Sequence, residues 1–199
     1  FTLTVQDEHH ERLYSHLFPG HGNERAAYLI CGIATIGSDP WSATGELRFL
    51  SRDVIPVPES DIISSGKGEI TWRTDSYIKA LKLAAKIGAS VALVHSHPQG
   101  IDYFSSVDDR NEPEFFRLAF NRNGSVQPNL SLIMLPDRRL IGRVWDSGYK
   151  SHDLDLIRVY GKRFRHYRRH QFKSEPDEIY ARQTLAFGKA LQNEFGAMR

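Results

Sequence analysis

Apolar residues follow two different spacings along the chain, and these predict strands and helices. Near-continuous or alternating apolar runs, typical of strands, occupy residues 26–36, 46–58, 68–74, 90–97, 129–136 and 139–146. Apolar residues three and four apart, with capping residues at the ends, predict helices over residues 7–18, 75–88, 105–124 and 179–195. The order of elements predicts an α+β (mixed α/β) fold, with a central mixed β-sheet and flanking helices.

The last quarter of the chain differs from the rest in pattern and charge. One apolar stripe at helical spacing predicts an amphipathic helix over residues 152–173. Within it, residues 158–173 contain seven Lys or Arg and no acid. We therefore predict one domain at residues 1–150 and a basic helical extension or linker at residues 151–199. The basic face is solvated, binds an anionic partner surface or binds nucleic acid, and the pattern leaves all three open.

Composition places the chain among ordinary globular proteins, since 40% of its 199 residues are hydrophobic and the net charge is +2. A net charge this small does not indicate a nucleic-acid partner. No apolar run approaches the roughly 20 residues that span a bilayer, so no membrane segment is predicted. The single cysteine, Cys31, excludes an internal disulfide, favours a cytoplasmic setting and is expected to be buried. His9 and His10 are expected on the solvated face of the first helix.

Two histidines end the strand predicted at residues 90–97. His95 and His97 are two residues apart, so both imidazoles lie on one face of an extended strand. The carboxylates that follow within reach are Asp102, Asp108 and Asp109. Two imidazoles and one carboxylate, with the fourth position left to water, form a known catalytic zinc arrangement. The stretch therefore predicts a metal site at the strand end.

Four residues of this stretch, His95, His97, Ser105 and Asp108, follow a fixed spacing. The pattern is His-x-His, then seven residues, then Ser-x-x-Asp. This resembles the JAMM motif of the MPN/JAB family of zinc metallopeptidases, including the proline after the second histidine. A second register through Ser106 and Asp109 lies one residue too far from His97, so Ser105 and Asp108 are preferred. The resemblance covers about residues 1–150.

The resemblance implies a fold and a set of residue roles. The fold would be similar to the MPN and cytidine-deaminase sheets, with flanking helices and a C-terminal helical extension. The cofactor would be zinc, held by His95, His97 and Asp108. Ser105 would act in catalysis by donating a hydrogen bond to the developing oxyanion.

The family also places a glutamate just before an upstream buried strand, as the catalytic base. The segment "GNERAAYLICG" supplies Glu24 at that place. Two departures from the family pattern occur: Ala26 or Ala27 replaces a glycine, and the stretch from Glu24 to Gly32 is one residue longer. Glu46, in "TGELRF", is the alternative, but its strand is more alternating, so Glu24 is preferred.

The resemblance implies a zinc-dependent, deubiquitinase-like isopeptidase or peptidase. It would cleave after the C-terminal glycine of a ubiquitin-like protein, either from a lysine conjugate or from an extended precursor. The glycine-ended tail is expected to lie as an added strand beside the active-site sheet. Two alternatives stay open: a catalytically idle MPN-fold binding module for protein or nucleic acid that uses residues 158–173, and a non-peptidase hydrolase with the same zinc site.

The end of the chain carries a second, shorter resemblance. The segment "RQTLAFGKALQNEF" is similar to the first segment of ThiF-type adenylating domains, and the chain begins at Phe1 rather than at methionine. Together these imply the peptidase part of a bacterial JAB–ThiF fusion. The expected partners are then an adenylating domain or another protein of a conjugation pathway.

Overall fold

Most of the predicted strands join one sheet of nine strands. A computed structural model describes residues 1–20, 22–38, 45–124, 127–162, 164–168 and 178–197. In chain order the strands are β1 Thr2–Gln6, β2 Ala26–Ile36, β3 Glu46–Pro56, β4 Ile62–Ser65, β5 Ile70–Trp72, β6 Ser90–Ser96, β7 Asn129–Met134, β8 Leu140–Trp145, β9 Ser151–Asp153, β10 Leu156–Tyr160 and β11 Arg165–Arg168. The helices are α1 Asp7–Leu17, α2 Asp75–Lys86, α3 Ser106–Asn123 and α4 Ala181–Ala197.

The sheet is mixed, with the order β11-β10-β1-β3-β2-β6-β7-β8-β9. β1 runs parallel to β3 and β10, and β6 runs parallel to β7. β4 and β5 form a separate two-stranded hairpin. The prediction of a mixed sheet flanked by helices is therefore confirmed. No helix within the described ranges is long and apolar enough to cross a membrane.

Helices cover both faces of the sheet, which is why its central strands are nearly continuous apolar runs. Along β2, Leu29 and Cys31 face the core on the side of α1. Tyr28 and Ile30 face the opposite core, which α2 and α3 complete. Cys31 is fully buried, as predicted. The histidine-bearing strand β6 pairs with β2, and its residues alternate between the same two cores, so packing fixes its position from both faces.

His9 and His10 of α1 are buried, so the prediction that they lie on a solvated face is wrong. His10 is 0% exposed, with Nε2 at 2.9 Å from the carbonyl oxygen of Arg138, while Nδ1 accepts from Arg165 at 3.1 Å. Nδ1 of His9 lies 2.9 Å from the hydroxyl of Ser51. Burial lowers the pKa of both histidines. Neutral rings therefore connect α1 to the sheet.

The helix predicted over residues 152–173 is wrong in the part of the chain that the structure describes; residues 163 and 169–173 lie outside that part. β9, β10 and β11 occupy the segment and join the main sheet, which therefore continues past residue 150. β10 lies between β1 and β11, and its residues are buried on both faces. Such a strand has apolar residues on both faces, and some fall at helical spacing. The final predicted helix is confirmed as α4, interrupted at Gly188.

Candidate metal centre

The two histidines lie at the end of β6, in the middle of the sheet. His95 pairs with Ala26 of β2 and with Ile133 of β7. The backbone N–H of His97 donates to the carbonyl oxygen of Met134 at 3.0 Å, so strand pairing continues one residue past β6. Both imidazoles therefore lie on one face, with their Nε2 atoms 3.1 Å apart.

The loop after β6 determines which nitrogen of His97 is free. Nδ1 lies 2.8 Å from the carbonyl oxygen of Ile101, which can only accept, so Nδ1 carries the proton. The N–H of Gly100 donates to the carbonyl oxygen of His97 at 2.9 Å and closes the turn. This leaves the Nε2 lone pair directed at the space shared with His95. Burial lowers the pKa of His95, which favours the neutral form that binds metals.

Asp108 reaches the histidines from the first turn of α3, where it forms a capping box with Ser105. Oδ2 of Asp108 accepts from the backbone N–H and from the hydroxyl of Ser105, each at 2.7 Å. In return, the N–H of Asp108 donates to Ser105 Oγ at 3.2 Å. Oδ1 is thereby directed towards His95, whose Nε2 lies 3.4 Å away.

The three side chains have the spacing of a metal site. The ligand atoms of His95, His97 and Asp108 all lie within 4.8 Å of one another. With metal–ligand distances of about 2.0–2.2 Å, neighbouring ligand atoms of a tetrahedral site are about 3.3–3.6 Å apart. The distances of 3.1 Å between the two Nε2 atoms and 3.4 Å to Asp108 are close to this range. The cluster can therefore hold a metal ion, and its donor set is one that zinc accepts.

Glu24 lies beside this cluster, although it comes from the segment before β2. It is 5% exposed and lines a cavity of about 60 Å³ together with the three cluster residues and Ser105. Its N–H donates to the carbonyl oxygen of Gly66 at 2.7 Å, and its own carbonyl oxygen accepts from the Ser65 hydroxyl at 2.7 Å. Burial, with the nearby charges of Asp108 and Glu69, raises the pKa of Glu24 to about 7.

The segment that carries all these residues matches a known family. The family described as prokaryotic homologs of the JAB domain matches residues 6–139. The chain belongs to the prokaryotic JAB family. Among solved structures, this JAB domain is similar to the solution structure of protein DSY2949 from Desulfitobacterium hafniense. The two have 17% sequence identity and a TM-score of 0.49, over 80% of this chain and 94% of that chain. No curated protein matches the chain.

Within the JAB domain, the alternative site residues have other partners. Glu46 accepts hydrogen bonds from Arg48 at 2.8 Å and from Thr2. Asp109 pairs with Arg143 at 2.6 Å, and Asp102 lies 3.8 Å from Arg139. Ser106 is the exposed first residue of α3. The structure therefore brings Asp108 and Ser105, and not their neighbours, to the histidines.

Two residues near the site were missed by the sequence reasoning. Glu112 of α3 and Arg143 of β8 form a buried ion pair, with 2.9 Å between Arg143 Nε and Glu112 Oε2. The spacing of four residues from Asp108 to Glu112 puts both on one helix face, which is a local signal that could have been used. Arg143 gives a weaker signal, as a single charged residue inside the apolar segment "RLIGRVW".

Replacement of Glu46 by glutamine is expected to lower the free energy of unfolding at pH 7 by about 1–3 kcal/mol and to leave metal binding unchanged. Hydrogen bonds, first from Arg48, lower the pKa of Glu46 to about 2. Because this lies below the usual glutamate value of 4.5, the stabilisation is fully present above about pH 4.5 and is lost as the pH falls towards 2. Urea unfolding of both proteins should therefore show a smaller difference at pH 3 than at pH 7. A difference that is independent of pH would contradict this role.

Proposed function

We propose that this JAB domain is a zinc-dependent isopeptidase or peptidase that cleaves after the C-terminal glycine of a ubiquitin-like protein. The observation that carries the proposal is the position of Glu24 beside the cluster of His95, His97 and Asp108 in one small cavity. A carboxylate base next to a three-ligand metal site is an arrangement suited to metal-assisted amide hydrolysis. Membership of the JAB family, which includes hydrolases, supports the same chemistry.

Glu24 is the group that moves protons in this proposal. A bound zinc ion would polarise the scissile carbonyl and lower the pKa of a water molecule to about 7. Glu24 accepts the proton of the attacking water and passes it to the leaving amine. Burial raises the pKa of Glu24, which favours uptake of the proton that it then passes to the amine.

Ser105 is proposed to stabilise the negative charge that develops on the carbonyl oxygen. Its hydroxyl lines the cavity and donates to Oδ2 of Asp108. The backbone N–H of Ser105 donates to the same oxygen at 2.7 Å. Asp108 therefore keeps one donor when the hydroxyl turns towards the substrate. Donors of this kind typically lower the barrier by about 3 kcal/mol.

The walls of the cavity favour a glycine next to the scissile bond. The β4–β5 hairpin contributes Ile70 and Trp72, and α3 contributes Phe115. Trp72 is fixed by a hydrogen bond from Nε1 to the Tyr28 hydroxyl at 2.8 Å and by ring contact with Phe115 at 5.3 Å. The residue next to the scissile bond would have to fit between these walls, which favours a small one such as glycine. An extended glycine-ended tail can lie along the hairpin as an added strand.

The alternative, an idle binding module that uses the basic segment 158–173, has less support. Arg158 is buried, and its Nη1 lies 3.0 Å from the Thr2 hydroxyl. Arg165 donates to His10 at 3.1 Å. Two of the basic side chains thus contribute to the sheet and to its contact with α1 instead of forming an open cationic face.

The test is hydrolysis of a ubiquitin-like protein whose C-terminal glycine is followed by a short peptide extension. Metal-depleted protein reloaded with one equivalent of zinc should cleave after the glycine, and a chelator should stop the reaction. The matched control substrate has valine in place of that glycine and should be cleaved at least about tenfold more slowly, because a steric mismatch in a small pocket has roughly this effect. A zinc-loaded protein that binds the fusion without cleaving it would support the idle module instead.

A further inference from the structure

We propose that Glu112 and Arg143 are positioning residues that hold the third metal ligand, Asp108, in place and thereby set the affinity of the site for zinc. The inference rests on the metal centre of the proposed function. It concerns how the ligand is held, and it does not depend on which substrate is cleaved.

Glu112 fastens α3 to two strands of the sheet. Its Oε1 accepts from the hydroxyl of Ser131 in β7 at 2.6 Å. Its Oε2 accepts from Nε of Arg143 at 2.9 Å and from Nε1 of Trp145 at 2.7 Å, both in β8. The carboxylate is buried, so these three charge-assisted bonds have little competition from water. One side chain therefore fixes the distance between α3 and the strands β7 and β8, of which β7 is paired with β6.

Arg143 contacts the neighbours of both ends of the segment from Ser105 to Asp108. Its Nη1 donates to Oδ1 of Asp109, the neighbour of Asp108, at 2.6 Å. Its guanidinium lies over the ring of Phe104, the neighbour of Ser105, with 3.9 Å from Cζ to the ring centroid. The segment from Ser105 to Asp108 is thus bracketed at both ends by one buried cation.

The first turn of α3 has no other anchor of this kind within its described residues. The buried side chains of α3 are Glu112, Phe116, Ala119 and Phe120, so apolar packing begins one turn after the ion pair. Asp108, however, belongs to the first turn, where the capping box joins it to Ser105 and not to the sheet. A metal ligand must be held within about 0.5 Å of its position to bind well. Glu112 supplies the constraint that the apolar residues cannot, because it lies one turn from Asp108 on the same face.

The charges of the pair also matter for a cation bound nearby. Arg143 by itself would repel a metal ion, and the carboxylates of Glu112 and Asp109 compensate its charge. Replacing buried ion pairs by apolar residues often leaves stability unchanged, so stability alone does not require this pair. Its distinctive effect is expected in the geometry and affinity of the metal centre.

The experiment compares zinc affinity and ligand geometry in the full chain carrying Glu112→Gln or Glu114→Gln. Glu114 lies on the same helix, is exposed and pairs with Arg117 one turn away, so it is the matched control. Glutamine keeps the shape of Glu112 but removes the negative charge that binds Arg143, and its NH₂ group leaves only one oxygen to accept from Arg143 and Trp145. We expect Glu112→Gln to weaken zinc binding by about 10–100-fold, measured by competition with a chromophoric chelator. The visible spectrum of the cobalt-substituted protein should change as well, while Glu114→Gln matches the wild type in both.

A second variant keeps the proposal testable if Glu112→Gln does not fold. Arg143→Lys retains the charge but cannot bridge Glu112 and Asp109 with a planar fork, so it should also weaken zinc binding. Wild-type zinc affinity and an unchanged cobalt spectrum in a folded Glu112→Gln protein would overturn the inference. Failure to cleave any glycine-ended fusion, with the affinity difference present, would instead refute the proposed function and leave this inference standing.

Discussion

Replacement of Glu24 by glutamine is expected to reduce the turnover of a glycine-ended fusion by about 10²–10⁴-fold while the protein keeps its zinc. Glutamine has nearly the same shape but cannot accept the proton of the attacking water. The metal is retained because the cluster of His95, His97 and Asp108 does not include Glu24. The measurements are kcat on the fusion substrate and the zinc content of the same sample.

The control for this prediction is Glu46→Gln, the other glutamate that the sequence offered as the base. Glu46 is bound to Arg48 and Thr2, so its replacement should leave kcat unchanged at neutral pH. If Glu24→Gln stays active and Glu46→Gln does not, the assignment of the base is wrong. If both stay active, neither of these glutamates is the base and the mechanism fails.

Much of the candidate site could be predicted from the sequence because its spacing is local. The positions of His95 and His97 follow from the alternation of a strand, and Ser105 and Asp108 form a capping box three residues apart. The contribution of Glu24 required a family pattern, since it is some seventy residues away along the chain. The structure now brings it into the same cavity.

The buried ion pair of Glu112 and Arg143 could not be predicted in this way. Glu112 and Arg143 lie 31 residues apart, and they meet only because α3 packs across β7 and β8. No periodicity links a helix residue to a strand residue at that distance. A buried ion pair therefore leaves little trace in the sequence, although each of its residues stands out slightly from its neighbours.

The fold shows the same division between local and distant information. The elements from 26 to 146 carry clear periodicity and capping residues, and most of them form where predicted. β1 and β10 pair across most of the chain, with Leu3 opposite Ile157. That pairing buries Ile157 and Val159 in a strand, although their surroundings had the spacing of a helix. Tertiary burial overrode the local pattern there.

Replacement of His97 by alanine is expected to abolish both zinc binding and hydrolysis. Two ligands, His95 and Asp108, would remain, which is fewer than the three protein ligands of catalytic zinc sites. The loss should be visible without substrate, because zinc at a thousand times its dissociation constant stabilises a folded protein by about 4 kcal/mol. Thermal unfolding with and without zinc should therefore show a shift for the wild type and none for His97→Ala.

The matched control is His152→Ala, an exposed histidine whose partner is Asp146. It should keep the zinc-dependent shift in full, which separates loss of a ligand from loss of any histidine. Comparison with Glu24→Gln then distinguishes the catalytic base from the metal ligands. A protein that keeps the shift without turnover has lost its base, and one that loses both has lost its metal. If His97→Ala retained stoichiometric zinc, the three-residue cluster would not be the metal site, and the proposed mechanism would be wrong.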